Sequence, residues 1–500
     1  MNAKRLYLAV AACAIVAYLG ALWNRFAMDD LYIIAFNPLV RRASGVWQAF
    51  GAPYWPPSYG GKMYRPLVIA SFGLDRVIGP VAWFHAVNLI WHAAASVAVA
   101  ALARRWASWQ GALAAGLVFA VHPVHVEAVA NVIGRAELLA AAFACLAVYA
   151  ALERDSVVWC AAALALGLLA KENAAAAPML IAWAWILGLR RPAGGRRRMA
   201  VYAISWVVLG VAYGAVRWLV LHPFSRSNVI APVFFEATWL QQRFTAVAAL
   251  ADVVRLLVFP LTLRADYSPN EYTLVASALD VRFLLGMAAL ALWSALLWRA
   301  WRRGRTLEAF GLGWIAIALL PVANLLFPTG ILLAERTLYL PSVGLALALA
   351  AWFSGRSRAQ WLALAAVVTA GGIRTALRVP VWHDDRSVTL SIITDSPDSY
   401  RGPARTGGLL QSAGLPVKAL AAYQVAAGIY DRDPTTFVGA ADAAFTLHQP
   451  ALAASLLARA EQLCFRCTGY LYTQAGAARS RGDSVVADSL LAHARGWEAQ

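Results

Sequence analysis

Eleven nearly uninterrupted apolar stretches divide the first 380 residues of this chain: 6–23, 81–103, 109–121, 136–152, 156–170, 174–189, 200–221, 279–298, 308–326, 337–353 and 359–377. A hydrocarbon layer of about 30 Å asks for about 20 apolar residues in helical form, because a helix satisfies its own backbone hydrogen bonds where water cannot. Several runs are short for a single crossing, so their boundaries are soft. Composition agrees: 61% hydrophobic residues, 14% charged residues and a mean hydropathy of +0.60 over 500 residues exclude a water-soluble domain for most of the chain. The expected fold class is all-α, a polytopic membrane bundle.

Orientation follows from the cations. Lys4-Arg5, Arg104-Arg105, "RRPAGGRRR" at 190–198, "WRAWRRGR" at 298–305 and "GRSR" at 355–358 fall between apolar runs and read as cytoplasmic loops. The net charge of +17 is thereby a matter of topology; no basic face with interleaved aromatics points to nucleic acid. All five clusters share one side only if 243–263, with Asp252, Arg255 and Pro260, does not cross, so it is expected as a re-entrant or interface-lying helix. About eleven spans result, with the N-terminus inside and the C-terminus outside. Met1–Trp23 has the charged start of a signal peptide without a convincing cleavage site and is read as an uncleaved first span. Five cysteines, three of them within apolar runs (Cys13, Cys145, Cys160), do not make a disulfide scaffold; the lone pair Cys464 and Cys467 reads as a reducible disulfide or a structural turn.

From residue 381 to 500 the apolar density drops, and small residues recur at a step of 34: Ala419, Ala453 and Ala487; Ala426, Ala460 and Ala494. That is the period of tetratricopeptide helix pairs, in which small side chains let neighbouring helices approach. The expected division is a membrane domain over 1–380 and an extracytoplasmic repeat solenoid over 381–500.

Ionisable residues on the predicted outer side interrupt this pattern. "FAMDDLYIIAFNP" puts Asp29 and Asp30 just after the first span. Arg65 follows in "YRP"; His122, His125, Glu127, Arg135 and Glu137 in "HPVHVEAVANVIGRAE"; Lys171, Glu172 and Asn173 in "KEN"; then Asp266, and Glu335 and Arg336 in "LLAERTLYLPS". A charge costs about 2.5–3.5 kcal/mol at mid-span, less near an edge, so such residues mark a polar cavity in membrane proteins. Carboxylates with cations at headgroup depth suit a lipid-linked phosphosugar: cations hold the phosphate, and a carboxylate takes the proton of an attacking hydroxyl. The spacing of His122, His125 and Glu127 is compatible with a metal but equally with capping groups in a loop containing Pro123.

These motifs, with "YRPLVIASFGLDRVIG", "FHAVNLIWHAAAS" and "VWHDDRSVTL", resemble the transmembrane and tetratricopeptide repeat containing O-mannosyltransferases over nearly the whole chain. The resemblance implies the C-type glycosyltransferase fold, a polyprenyl-phosphate sugar donor, a protein Ser/Thr hydroxyl as acceptor and inversion at the anomeric carbon. It implies Asp29 as the base with Asp30 beside it, and Arg135, Glu137, Lys171, Glu172, Asn173, Glu335 and Arg336 around the donor phosphate; Arg65, His125, Glu127 and Asp266, on the same predicted outer side, join them as candidates for binding donor phosphate or substrate. No metal ligand set and no required cofactor follow; dependence on a divalent ion stays open. The expected partners are the donor, membrane lipids and a protein or peptide acceptor held by the repeats, in a bacterial inner membrane with a periplasmic tail rather than the endoplasmic reticulum. The tail is shorter than many in the family, so transfer to a lipid or glycan, or a non-catalytic scaffold, stands as the alternative. A transporter would place polar groups at mid-span or show inverted repeats, and neither is seen.

Overall fold

A computed structural model describes residues 2–57, 63–223, 230–354, 357–463 and 468–499. Among these every regular element is a helix. Each of the eleven apolar runs is helical, but eleven crossings are not shown. Among the described residues five helices are long and apolar enough to cross, or six if one bent pair counts as a span: Val81–Ala103, Val132–Glu153, Gly195–Leu221, Val281–Arg302 and Arg358–Trp382. The other six runs fold as Ala3–Ala17, Trp109–Ala120, Val157–Ala170, Ala176–Ile186, Thr306–Leu319 and Tyr339–Trp352, of 11 to 15 residues. At 1.5 Å per residue these reach only about 16–22 Å. One explanation is visible at His122-Pro123, where Trp109–Ala120 and Pro123–Ala130 meet at 46° and the apolar run breaks.

Burial separates inner from outer helices. The most apolar 18 residues of Val132–Glu153 are 78% buried, against 6% for those of Gly195–Leu221 and Val281–Arg302, most of whose valines, leucines and tryptophans point outward as those of lipid-facing helices do. The core gathers where Val81–Ala103 packs against Ala3–Ala17, Trp109–Ala120 and Arg135–Glu153. Without an aqueous hydrophobic drive between them, helices in lipid associate by close packing of small residues. Gly311 on Thr306–Leu319 faces Gly344 on Tyr339–Trp352, and a Cβ on either would collide with the carbonyl of the other.

The segment 243–263 forms the helix Trp239–Val258, started by a Thr238–Gln241 capping box and lying on Val281–Arg302; its Asp252 and Arg255 pair with each other at 2.9 Å. A helix outside the eleven runs, Pro66–Ile78, was not anticipated; it starts on Pro66 and leaves Leu74, Val77 and Ile78 exposed.

In the tail, Asp385–Asp395 leads to three helix pairs. Their second members begin at Pro416, Pro450 and Ser484, 34 residues apart. Ala419, Ala453, Ala487, Ala426, Ala460 and Ala494 are all fully buried between helices. Cys464 and Cys467 lie outside the described residues.

Candidate active site

The loop after the first helix is held from two sides. Toward the bundle, Asp30 is fully buried; its Oδ1 accepts the Ile133 N–H at 2.8 Å and its Oδ2 accepts the Ala27 N–H at 3.2 Å. The turn that supplies Ile133 needs Gly134, since a Cβ there would run into the Ala128 carbonyl. Toward the tail, Arg25 N–H donates to His383 O at 2.7 Å and Met28 N–H to Asp385 Oδ1 at 2.5 Å. Burial pushes the Asp30 carboxyl up to about 7, against the pull of the N–H groups of Ala27 and Ile133.

Asp29 has a different fate. It is half-buried and lines a cavity of about 200 Å³ with Glu127, Asp266, Arg336, Arg401 and Arg405. Consecutive residues in helical or turn backbone diverge by about 100°, so one acid faces the cavity while the other braces the loop.

Three cation–carboxylate pairs stand around this region. Arg336 is bonded to Glu127 through its guanidinium and also donates its backbone N–H at 2.8 Å. Lys171 is paired with Glu137, which also accepts from Asn173 Nδ2 at 3.4 Å. Arg65 reaches Glu172 at 3.2 Å and lies 5.2 Å over the Tyr54 ring. Lys171 is within electrostatic reach of Arg65 and Arg336, and Arg336 of Asp29 and Glu137, so the pairs form one charged neighbourhood. Arg336 is the most open of the three, its side chain 26% exposed against 14% for Arg65 and 11% for Lys171.

Other expected site residues are turned elsewhere. Arg135 was expected at the donor phosphate, but its guanidinium is fully buried in the bundle. It is bonded to Asp75, to Asn88 Oδ1 at 2.8 Å, to Phe84 O at 2.7 Å and to Ser71 Oγ at 3.2 Å, and it lies over the Phe72 ring. The missed partner was Asp75, on the unanticipated helix. His125 is likewise fully buried, its Nε2 hydrogen-bonded to Ser342 Oγ at 2.7 Å, and His122 Nε2 donates to Leu257 O at 2.9 Å. These rings do not converge with Glu127, and among the described residues no three His, Cys, Asp or Glu side chains gather as a metal site. Glu335 lies between the lining residues Ala334 and Arg336 but does not itself line the cavity, accepting from Arg264 N–H at 2.5 Å and Tyr267 OH at 3.0 Å; burial pushes it up to about 8. Asp266 lines the cavity but is committed to Ser268 and Ser399 by bonds of 2.7–2.9 Å.

Sequence reasoning missed Asp385, Arg401 and Arg405, which the tail brings to the cavity or its loop. "VWHDDRSVTL" contained the first of them. Its neighbour Asp384 is the N-cap of Asp385–Asp395, accepting Ser387 N–H at 2.8 Å, and nothing in the pattern separates cap from brace.

Fold and site together define a class: an integral membrane helical bundle with a cavity lined by the Arg336–Glu127 pair and, from the tail, by Arg401 and Arg405. No family model matches the chain. Curated relatives do. The chain is 27% identical to mouse protein O-mannosyl-transferase TMTC3 over 433 residues, covering 77% of this chain and 46% of that protein. It is 27% identical to human protein O-mannosyl-transferase TMTC4 over 464 residues, covering 78% and 62%. A segment of 135 residues is 40% identical to protein O-mannosyl-transferase Tmtc2 of Drosophila melanogaster, covering 25% and 14%. These homologues bear the name of the family whose motifs the sequence resembles, and the chain spans about half the length of the first of them. Among solved structures, ArnT from Cupriavidus metallidurans bound to undecaprenyl phosphate aligns with a TM-score of 0.43 at 15% identity, over 96% of this chain and 77% of that one.

Proposed function

We propose that this chain is a membrane glycosyltransferase that moves a sugar, mannose by its relatives' names, from a polyprenyl-phosphate donor to a protein Ser or Thr hydroxyl on the extracytoplasmic side. The observation that carries the reading is the division of the acidic pair: Asp29 opens on a cavity shared with the Arg336–Glu127 pair, while Asp30 is occupied by backbone N–H groups. In the proposed reaction the acceptor hydroxyl oxygen attacks the anomeric carbon and its proton passes to the Asp29 carboxylate. The bond from that carbon to the phosphate oxygen breaks with inversion, and polyprenyl phosphate leaves with the electron pair. Arg336, with Lys171 and Arg65 behind it, offsets the charge that develops on the phosphate. Arg135 has no part in this step.

The donor class has a second support. An open apolar groove of about 540 Å³ runs between Val157–Ala170 and Gly195–Leu221, lined by Leu164, Leu168, Trp206 and Val207, with Glu172 and Tyr213 also on its wall. Glu172 is the partner of Arg65, so an isoprenoid tail in the groove brings its phosphate toward the cations. For the acceptor, Arg401 and Arg405 on the helix Arg401–Ser412 make the repeats one wall of the cavity, which suits an acceptor presented by the tail.

The test is direct. Purified protein is incubated with polyprenyl-phosphate mannose labelled in the sugar and an extract of extracytoplasmic proteins. Label in the protein fraction, dependent on Asp29, is expected. Label moved from the donor to a second lipid species, with none in protein, would move the acceptor to a glycolipid, and label remaining entirely in the donor would reject the reading.

A further inference from the structure

Met28, which immediately precedes Asp29, has φ of +58°. That left-handed conformation is uncommon for a residue with a side chain and persists only when its surroundings hold it. Met28 donates its N–H to Asp385 Oδ1 at 2.5 Å, and the same oxygen accepts Arg405 Nη2 at 2.9 Å. Arg405 belongs to Arg401–Ser412, the first helix of the repeat pairs. Three residues before Met28, Arg25 is held by the carbonyl of His383. Asp29 thus stands between Asp30, anchored to the bundle, and Met28, anchored to the tail by a single carboxylate.

We propose that Asp385 is a positioning residue for Asp29, and that Arg405 fixes Asp385, so that docking of the first repeat helix sets the geometry of the base. The inference rests on the reading of Asp29 as the base. The repeats then serve chemistry as well as acceptor capture. Asp385 is not among the residues that line the cavity; it holds the strained Met28 backbone so that the Asp29 side chain is aimed into the cavity. A displacement of about 1 Å in a reacting group commonly costs about 10²-fold in rate, which is the scale on which such a brace acts.

The test uses the purified full chain, polyprenyl-phosphate mannose and a saturating acceptor extract, with kcat and the donor KM measured separately. Asp385→Ala should lower kcat about 10- to 100-fold with donor KM within about twofold of wild type. Asp385→Asn keeps an oxygen for Met28 N–H but weakens the link to Arg405, so it should recover only part of that loss and stay measurably below wild-type kcat; Arg405→Gln should resemble it. Where Asp385→Ala does not yield folded protein, Asp385→Asn and Arg405→Gln decide alone. Wild-type kcat in every folded variant, or a loss confined to KM, overturns the proposal. Asp29→Asn is run alongside. Wild-type turnover there sinks the base assignment itself, whereas an inactive Asp29→Asn beside a fully active Asp385→Ala sinks only the positioning role.

Discussion

Asp30 and Ile133, 103 residues apart, are joined by a 2.8 Å hydrogen bond from the Ile133 N–H to Asp30 Oδ1. The bond ties the loop after the first helix to the turn that begins the most buried span, and it leaves Asp29 as the acid free to face the cavity. The two carboxylates therefore predict different phenotypes. Asp29→Asn should lower transfer by about 10²- to 10⁴-fold, the usual cost of removing a general base, with the thermal midpoint unchanged. Asp30→Asn should act on stability first, because the amide sets an N–H group against a backbone donor and costs about 1–3 kcal/mol. Turnover and thermal unfolding measured on both proteins separate the roles; equal midpoints would remove the distinction.

Among the cations, exposure ranks the expected effects on donor affinity. Arg336→Ala should raise the donor KM most, by about 10- to 100-fold for loss of a charge-assisted bond worth about 1.5–3 kcal/mol, with Arg65→Ala and Lys171→Ala behind it. Glu127→Gln, which retains shape beside Arg336, controls for the broken pair. Three unchanged donor KM values would reduce these residues to structural pairs.

Arg135 is predicted to govern stability. Arg135→Ala strands Asp75 as an uncompensated buried carboxylate, and breaking a buried pair from one side typically costs about 3–5 kcal/mol. Adding Asp75→Leu should recover part of that loss, since a buried pair can be replaced by apolar side chains at little net cost. The readout is the thermal midpoint in detergent. A stable Arg135→Ala protein with a selectively raised donor KM would return Arg135 to the donor site.

Glu335 predicts a pH dependence of stability. Its folded pKa, about 8, lies above the ordinary glutamate value of 4.5 because burial disfavours the charged form. Below about pH 4.5 both states hold the proton and this contribution is fully present. Between about 4.5 and 8 the unfolded chain releases the proton while the folded chain keeps it, so stability falls as pH rises; above 8 the fall is complete. Glu335→Gln carries no titrating proton and should flatten that segment of the profile. Parallel slopes for wild type and variant across pH 5 to 8 would contradict the assignment.

Local pattern made some of this legible and hid the rest for definite reasons. An apolar run reports that a segment is helical, and all eleven are; it does not report where a helix breaks, as at His122-Pro123. The step of 34 reports small side chains between helices, and six alanines at that step are buried. Sequence also marked Asp29, Glu127 and Arg336, because charge at the edge of an apolar run is costly and so informative. It did not show the partner of Arg135, since Asp75 lies in a segment too mixed to read as a core helix, and a cation beside an unseen carboxylate looks like a free one. Asp385, Arg401 and Arg405 were missed because their roles arise from the tail folding back onto the first loop, and no local spacing encodes a return of that length.

That return also fixes a schedule. The Met28–Asp385 bond spans 357 residues, and synthesis runs from the N-terminus, so the loop bearing Asp29 is made well before its anchor, which follows the helix Arg358–Arg378. A nascent chain, or one cut before residue 383, carries the acids and the cations yet lacks the clasp that sets their geometry. The enzyme as proposed is thus unarmed while it is being threaded into the bilayer, and its activation coincides with the tail closing over the cavity.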